Sequence, residues 1–207
     1  MNRNLIIYRA LPIILFLWGL VNSAFHLSNN NPQGILWFCN TLIFLLAIGL
    51  WLNSKPILGS VTISYLLFGI LWTTDIVAWF STGKFLFDVS IYIASSTILG
   101  RIITFYHILL LAFSLRFIIK EKKLYSKAWI ISSIHLLIVL LLSLILTDSN
   151  VNCVRQACDI GKLGFIYLLK PAFVPFILFN WIMFTIIVFI PMQLILNNFK
   201  KPKRSQN

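Results

Sequence analysis

The amino-acid sequence predicts an all-α protein, a bundle of six transmembrane helices with both termini in the cytoplasm. Composition is the first reason, because 59% of the 207 residues are hydrophobic, whereas soluble domains are about 45–50% apolar. Only 11% are charged, and most of these charges lie in short clusters between long apolar runs. The length of the runs is the third reason, since about 20 apolar residues in a helix cross the hydrocarbon core of a bilayer.

The apolar runs predict spans at about 10–25, 35–52, 57–80, 99–119, 128–146 and 171–196. The first is also compatible with a secretory signal peptide, but Asn22 occupies the −3 position of a cut after Ala24, where a small residue is needed. Pro12 suits the first turn of a helix, where its missing N–H costs least. The chain is therefore expected to be one transmembrane domain, followed at 197–207 by a basic cytoplasmic tail.

The fourth apolar run covers residues 91–119 and is longer than one crossing needs. We expect 99–119 to cross the membrane and 89–98 to lie at the interface or to re-enter it. The crossing part carries Arg101 and, about 9 Å deeper, His107. Polar groups at membrane depth are costly and usually face a bundle interior, so the other helices are expected to surround these two residues.

Positive charges predict the orientation. With six spans, 12 of the 17 Lys and Arg residues lie on the side of the two termini. Four lie on the other side: Lys84, Arg155, Lys162 and Lys170. Cytoplasmic loops are enriched in Lys and Arg, so both termini are predicted to be cytoplasmic, in a cell membrane. The net charge of +12 then indicates contact with membrane lipid headgroups and not with nucleic acid.

This topology brings polar residues from several stretches to the outer half of the membrane. They are His26, Cys39, Asp75, Arg101, His107, Asn150 and Asn152. His135, in the fifth span, is expected to lie nearer the cytoplasmic half and apart from them. Asp75 and Arg101 are predicted to form an ion pair, either as a structural clamp between two spans or as a site where Arg101 holds a phosphate or carboxylate headgroup.

Cys39 and His107 have two possible interpretations, one structural and one catalytic. Both are compatible with small or polar residues packed in a bundle interior. Alternatively, Cys39 is a nucleophile and His107 its general base, because imidazole titrates near neutral pH. In that case Arg101 would bind the phosphate of a lipid, with Asp75, His26, Asn150 and Asn152 as further substrate-binding residues.

Two cysteines in the last outer connector, Cys153 and Cys158, are candidates for a disulfide, since that side faces an oxidising compartment. They are poor candidates for a metal site, because Asp159 is the only other residue close to them in sequence whose side chain commonly binds a metal. No phosphate-binding, dinucleotide-binding, zinc-protease or calcium-loop motif occurs in the sequence. No metal or cofactor is therefore expected.

The order of several motifs resembles a family of uncharacterised bacterial multi-pass membrane proteins of about this length. The matching residues are His26, Trp37-Phe38-Cys39, Trp72, Asp75, Phe87-Asp88, Arg101, Tyr106-His107, Asn150-Val151-Asn152 and Pro191. The chain departs from the family by extra residues between Asp88 and Arg101 and by Cys153, where the family often has an aromatic residue. The resemblance implies that the protein lies in a bacterial inner or plasma membrane and that the matching polar residues belong to one site. It implies no particular reaction.

A weaker similarity links the arrangement of Cys39 and His107 to integral membrane lipid acyltransferases and hydrolases, which use a Cys or Thr on one span and a His on a later one. The resulting hypothesis is a membrane protein that binds or acts on a lipid or acyl ester in the outer half of the bilayer. The alternative is a small transporter, or an accessory subunit that binds a lipid or a partner membrane protein. The sequence leaves open whether the protein is an enzyme.

Overall fold

The computed structural model describes residues 3–121, 124–156, 170 and 174–199. All regular elements within these ranges are helical, which confirms the predicted all-α class. The predicted disulfide lies outside this description, because residue Cys158 and the side chain of Cys153 do. The same holds for Asp159, Lys162 and the tail from residue 200 onward.

The helices follow the chain in a simple order. They are α1 (Arg3–Ser28), a 3-10 helix (Pro32–Leu36), α2 (Phe38–Trp51), α3 (Lys55–Thr82), α4 (Tyr92–Ser95), α5 (Ile98–Ile103), α6 (Tyr106–Lys120), α7 (Ala128–Leu146), a second 3-10 helix (Val151–Cys153), α8 (Phe176–Met183), a π-helical turn (Phe184–Phe189) and α9 (Ile190–Phe199). The last three elements run on without a break, so that they form one long helical stretch.

Five helical segments of the described chain are long and apolar enough to cross a membrane. They are Ala10–Ser28, Lys55–Thr82, Ile98–Lys120, Ala128–Leu146 and Phe176–Asn198. Helix α2 is equally apolar but has only 14 residues. The composition and lengths are those of a membrane protein, and α2 is shorter than the predicted span at 35–52.

Helix α3 lies at the centre of the bundle. Its spanning segment is 61% buried within the protein, against 22–33% for the other four, so those helices present most of their apolar surface outward, as lipid-facing helices do. Pro56 in the first turn and Gly83 in a left-handed conformation (φ 72°) after the last turn fit its two ends. The other helices therefore surround α3, and most of its side chains are buried inside the bundle.

The chain between α3 and α6 is broken into short pieces. Helix α4 ends at Ser95, and Thr97 then caps α5 by accepting a hydrogen bond from the Gly100 N–H at 3.1 Å. A further break at 104–105 separates α5 from α6. The indole of Trp18 in α1 donates to the Ile103 carbonyl at 3.1 Å and fastens α5 to the bundle. The indole of Trp72 donates to the Tyr92 hydroxyl at 3.1 Å, so that the start of α4 lies against the C-terminal half of α3.

Candidate functional site

His107 is held in one tautomer by the backbone. Its Nδ1 lies 2.9 Å from the Thr104 carbonyl oxygen, and a carbonyl can only accept, so Nδ1 carries the proton. Nε2 therefore carries a lone pair, and it has no hydrogen-bond partner among the described residues. The ring stacks on Trp72, with centroids 4.7 Å apart and planes 10° from parallel, and also touches Tyr106. These contacts fix the direction in which the Nε2 lone pair points.

Asn40, at the start of α2, organises the neighbouring polar groups. Its Nδ2 donates to the Gly34 carbonyl at 2.6 Å and to Nε2 of His26 at 3.1 Å. Its Oδ1 accepts a hydrogen bond from the Tyr106 hydroxyl. His26 must therefore accept at Nε2 and carry its proton on Nδ1, so that the 3.4 Å approach of Nδ1 to the NH₂ nitrogen of Asn31 is not a hydrogen bond in this tautomer. One amide thus joins α1, the first 3-10 helix and α6.

Gly34 is required by the close approach of His26. A Cβ at this position would lie 2.6 Å from Cε1 of the His26 ring. No carbon atom tolerates such a distance, so the imidazole occupies the place where a side chain would be. The 3-10 helix Pro32–Leu36 passes over α1 because this residue has no side chain.

The Cys39 thiol lies beside this network and not in contact with the predicted base. Its hydrogen-bond partner is Oδ1 of Asn40, at 4.0 Å, and Tyr106 also lies close to the sulfur. Within the described residues no hydrogen bond joins Cys39 to His107. The two side chains nevertheless border the same two cavities.

Two adjoining cavities meet at these side chains. The first, which we call the aromatic cavity, has a volume of about 190 Å³ and is walled mainly by aromatic and aliphatic residues, among them Phe68, Trp72 and Phe184. The second, which we call the polar cavity, has a volume of about 320 Å³, and the carboxamides of Asn22, Asn29, Asn31 and Asn40 border it within a wall that is otherwise mainly apolar. Both are bordered by Trp37, Cys39, Tyr92 and His107. The pair offers an apolar and a polar compartment side by side.

Several buried polar groups in these walls have no partner within the described structure. In the aromatic cavity they are the hydroxyls of Ser64 and Tyr65, which are 0% and 1% exposed. In the polar cavity Asn22 is only 3% exposed and makes no side-chain hydrogen bond to any described residue. Leaving such groups unpaired costs about 1–3 kcal/mol each. The Asn22 carboxamide is the group through which a molecule in the polar cavity would gain a hydrogen bond.

Tyr92, in the connector outside the long helices, borders both cavities. Its hydroxyl oxygen accepts a hydrogen bond from the Trp72 indole at 3.1 Å. Burial raises the pKa of Tyr92, so the phenol stays protonated at neutral pH. Its O–H is therefore a donor where the cavities meet.

The predicted ion pair between Asp75 and Arg101 is wrong. Asp75 is 0% exposed, and its carboxylate accepts hydrogen bonds from the N–H groups of Leu86, Phe87 and Ser90 and from the Ser90 hydroxyl, at 2.6–3.3 Å. Backbone donors of the connector thus satisfy the acid, since the chain folds back over the end of α3. Asp75 does not border either cavity.

Arg101 likewise finds backbone partners. Its guanidinium donates to the carbonyls of Ile93 and Ala94, at 3.2 and 3.0 Å, and lies 5.5 Å from the centroid of the Trp79 ring. Those carbonyls belong to the short helix α4, which leaves its last carbonyls without helical partners. Arg101 therefore closes the end of α4, and it too lies outside the walls of both cavities.

Asn150 and Asn152 lie in the connector after α7 and border neither cavity. Asn152 accepts from the Phe38 N–H at 3.0 Å and donates to the Leu36 carbonyl at 2.7 Å, so it bridges the break before α2. Asn150 accepts from the N–H groups of Arg155 and Gln156 and closes the connector on itself. His135 was expected apart from the polar cluster, and it borders neither cavity. Its ring centroid lies 5.1 Å from that of Phe38.

The structure thus brings His26, Cys39 and His107 together and leaves Asp75, Arg101, Asn150 and Asn152 in supporting positions. Sequence reasoning gave no site role to Asn22, Asn40, Ser64 or Tyr65. A carboxamide inside an apolar run is expensive in a membrane, so the positions of Asn22 and Asn40 in such runs could have indicated that they belong to a polar site. Nothing in the sequence indicated such a role for Ser64 and Tyr65, because serine and tyrosine are common in membrane helices.

Comparisons with protein-family models, curated proteins and solved structures find no match for this chain. The resemblance to a family of uncharacterised bacterial membrane proteins therefore stays a prediction. The described residues contain no group of three or more His, Cys, Asp and Glu that could hold a metal ion.

Proposed function

We propose that this chain is an integral membrane protein that binds a lipid in its two adjoining cavities. The observation that carries the proposal is the shared wall of a polar and an aromatic compartment at Trp37, Cys39, Tyr92 and His107. A lipid has the same division into a polar head and an apolar chain. Ligand sites typically combine a mostly apolar surface with a few placed polar groups, and this pair of cavities fits that description.

The proposal includes six crossings with cytoplasmic termini. Helix α2 has 14 residues and rises about 21 Å. That rise is shorter than a hydrocarbon core of about 30 Å, and the five-residue 3-10 helix before it would cover the remaining depth. Irregular backbone at membrane depth needs partners within the protein, and Asn40 and Asn152 bond the Gly34 carbonyl, the Leu36 carbonyl and the Phe38 N–H at this break.

A second candidate function is acyl transfer from a bound lipid ester. It is favoured by one observation: the Nε2 lone pair of His107 is unengaged, and the ring borders the same cavities as Cys39. The thiol would attack the ester carbonyl carbon and pass its proton to Nε2. The alcohol would leave with that proton, and the acyl group would remain as a thioester on Cys39. A small motion must first bring the thiol to the imidazole, since no hydrogen bond joins them here.

Photolabelling tests the lipid-binding proposal. The purified protein is irradiated with a lipid that carries a diazirine in its acyl chain, and labelled peptides are identified by mass spectrometry. We expect label on Phe68, Trp72 or Phe184, which wall the aromatic cavity. Excess unlabelled lipid should remove this label, because a site with a fixed number of places saturates.

The outward groove between α1 and α2 supplies the internal control. It is lined by Phe16, Ile48 and Trp51 without polar contribution, and lipid that merely surrounds the protein should label it without saturation. Label confined to this groove, or cavity label that excess lipid does not displace, would contradict the proposal. For the second candidate, a thiol-reactive acyl probe should label Cys39 in the wild type, and the His107→Ala variant should lose that label.

A further inference from the structure

We infer that the lipid bound in these cavities has an uncharged headgroup that carries hydroxyls, as in an acylglycerol or a glycolipid. The inference rests on the proposed lipid-binding function and names the class of ligand. It replaces the expectation of a phosphate held by Arg101. Three features of the cavity walls carry it: their lack of charge, the free acceptor on His107 and the unpaired donors.

Charge is the first feature. No Lys, Arg, Asp or Glu among the described residues borders either cavity. A phosphate or carboxylate taken out of water needs cationic or multiple charge-assisted partners. Arg101 follows Gly100 of the polar cavity's wall, but its guanidinium binds the carbonyls of Ile93 and Ala94 and lies against the Trp79 ring. An anionic headgroup would therefore enter the polar cavity without a countercharge.

The second feature is the acceptor that faces the ligand. The Thr104 carbonyl fixes the His107 proton on Nδ1, so that Nε2 offers a lone pair and no proton. A phosphate diester or an ester carbonyl also offers lone pairs only, and it cannot bond to Nε2. A hydroxyl can donate to Nε2 and at the same time accept from a neighbouring donor. His107 thus selects for a ligand with an O–H group.

Donors for such a ligand are present in both compartments. In the polar cavity the Asn22 carboxamide is buried and makes no hydrogen bond to any described residue, so it can both donate to and accept from a hydroxylated head. The Tyr92 O–H, at the wall that the two cavities share, can donate to an ester carbonyl, whereas the hydroxyls of Ser64 and Tyr65 are shielded from the cavity by their neighbours.

The test compares lipids that share one oleoyl chain. Binding of 1-oleoylglycerol, its 3-phosphate and methyl oleate to the purified full-length chain is measured by competition against the photolabel. We expect 1-oleoylglycerol to bind at least about tenfold more tightly than either competitor, because each leaves buried polar groups unpaired or adds an uncompensated charge. A glucosyl diacylglycerol is added to distinguish a sugar head from a glycerol head, and tight binding of either supports the inference.

Two variants link the preference to the named groups. Asn22→Leu and His107→Phe keep the approximate size of each side chain, and we expect each to reduce the preference for 1-oleoylglycerol over methyl oleate by about fivefold or more. Asn198→Leu, the same change on an exposed residue of α9, should leave the preference unchanged. Native-like thermal unfolding of each variant shows that it is folded.

The outcomes separate the two proposals. If the phosphate binds as tightly as 1-oleoylglycerol, or methyl oleate does, the headgroup inference is overturned while lipid binding stands. If none of the lipids displaces the photolabel, lipid binding in these cavities fails and the inference fails with it. If both variants keep the full preference, the assignment of His107 and Asn22 is wrong.

Discussion

Replacing Asp75 by Asn tests how the connector between α3 and α5 is held beside the cavities. The carboxylate accepts from the N–H groups of Leu86 and Phe87 at one oxygen and from the N–H and hydroxyl of Ser90 at the other. An Asn side chain keeps one acceptor oxygen but places an NH₂ group against the Ser90 N–H. The connector that carries Val89 and Tyr92 into the cavity walls should therefore loosen.

The magnitude follows from these four contacts. Two hydrogen bonds lose their charge assistance, which costs about 1 kcal/mol each, and the buried Ser90 N–H loses its acceptor, which costs about 1–3 kcal/mol. The expected destabilisation is about 3–5 kcal/mol in the free energy of unfolding. For a chain of this size the unfolding temperature should fall by about 10 °C.

The assay is thermal unfolding in detergent, followed by intrinsic tryptophan fluorescence. Asp88→Asn is the matched control, because Asp88 lies in the same connector, has a φ of 64° that Asn also adopts, and makes no side-chain hydrogen bond to any described residue. Its unfolding temperature should stay within about 2 °C of the wild type. An equal loss in both variants, or no loss in Asp75→Asn, would refute the role given to the Asp75 carboxylate.

Three further predictions concern the break before α2 and the topology. Gly34→Ala should destabilise the protein by about 1–3 kcal/mol, because the new Cβ meets the His26 ring; a return of stability in the double variant with His26→Ala would confirm the clash, and its absence would argue against it. Asn152→Leu leaves buried backbone groups at the break unpaired, so its unfolding temperature should fall by several degrees, and an unchanged value would contradict the bridging role. Reporter fusions should be active on the outer side at Asn29 and on the cytoplasmic side at Lys123; the reverse pattern would refute the topology.

The class of fold could be predicted because a bilayer leaves the backbone few choices. Long apolar runs must satisfy their own N–H and C=O groups, and in a single chain of this composition only helices do so. The lengths of the long helices could be predicted because each must cross the same hydrocarbon core. The 3-10 helix before α2 and the breaks after α4 could not be predicted in this way, because side chains distant in sequence, such as Asn152, supply their missing hydrogen bonds.

The candidate site was only partly predictable. Helix rise placed Cys39 and His107 at similar depth, and the structure brings them to the walls of the same cavities. The partners of Asp75 and Arg101 were not predictable, because a charge in the sequence shows that a partner is needed but does not show that backbone groups supply it. The tautomer of His107 likewise depends on the Thr104 carbonyl, which no sequence pattern reveals.

The central claim is that an acyl chain occupies the aromatic cavity while its head lies in the polar one. Crystals grown from detergent with a monoacylglycerol brominated along its chain would test this claim most directly, through the anomalous signal of bromine. The account predicts bromine peaks between Trp72 and Phe184, within the aromatic cavity. Peaks found only in the outward groove beside Ile48 and Trp51 would contradict it.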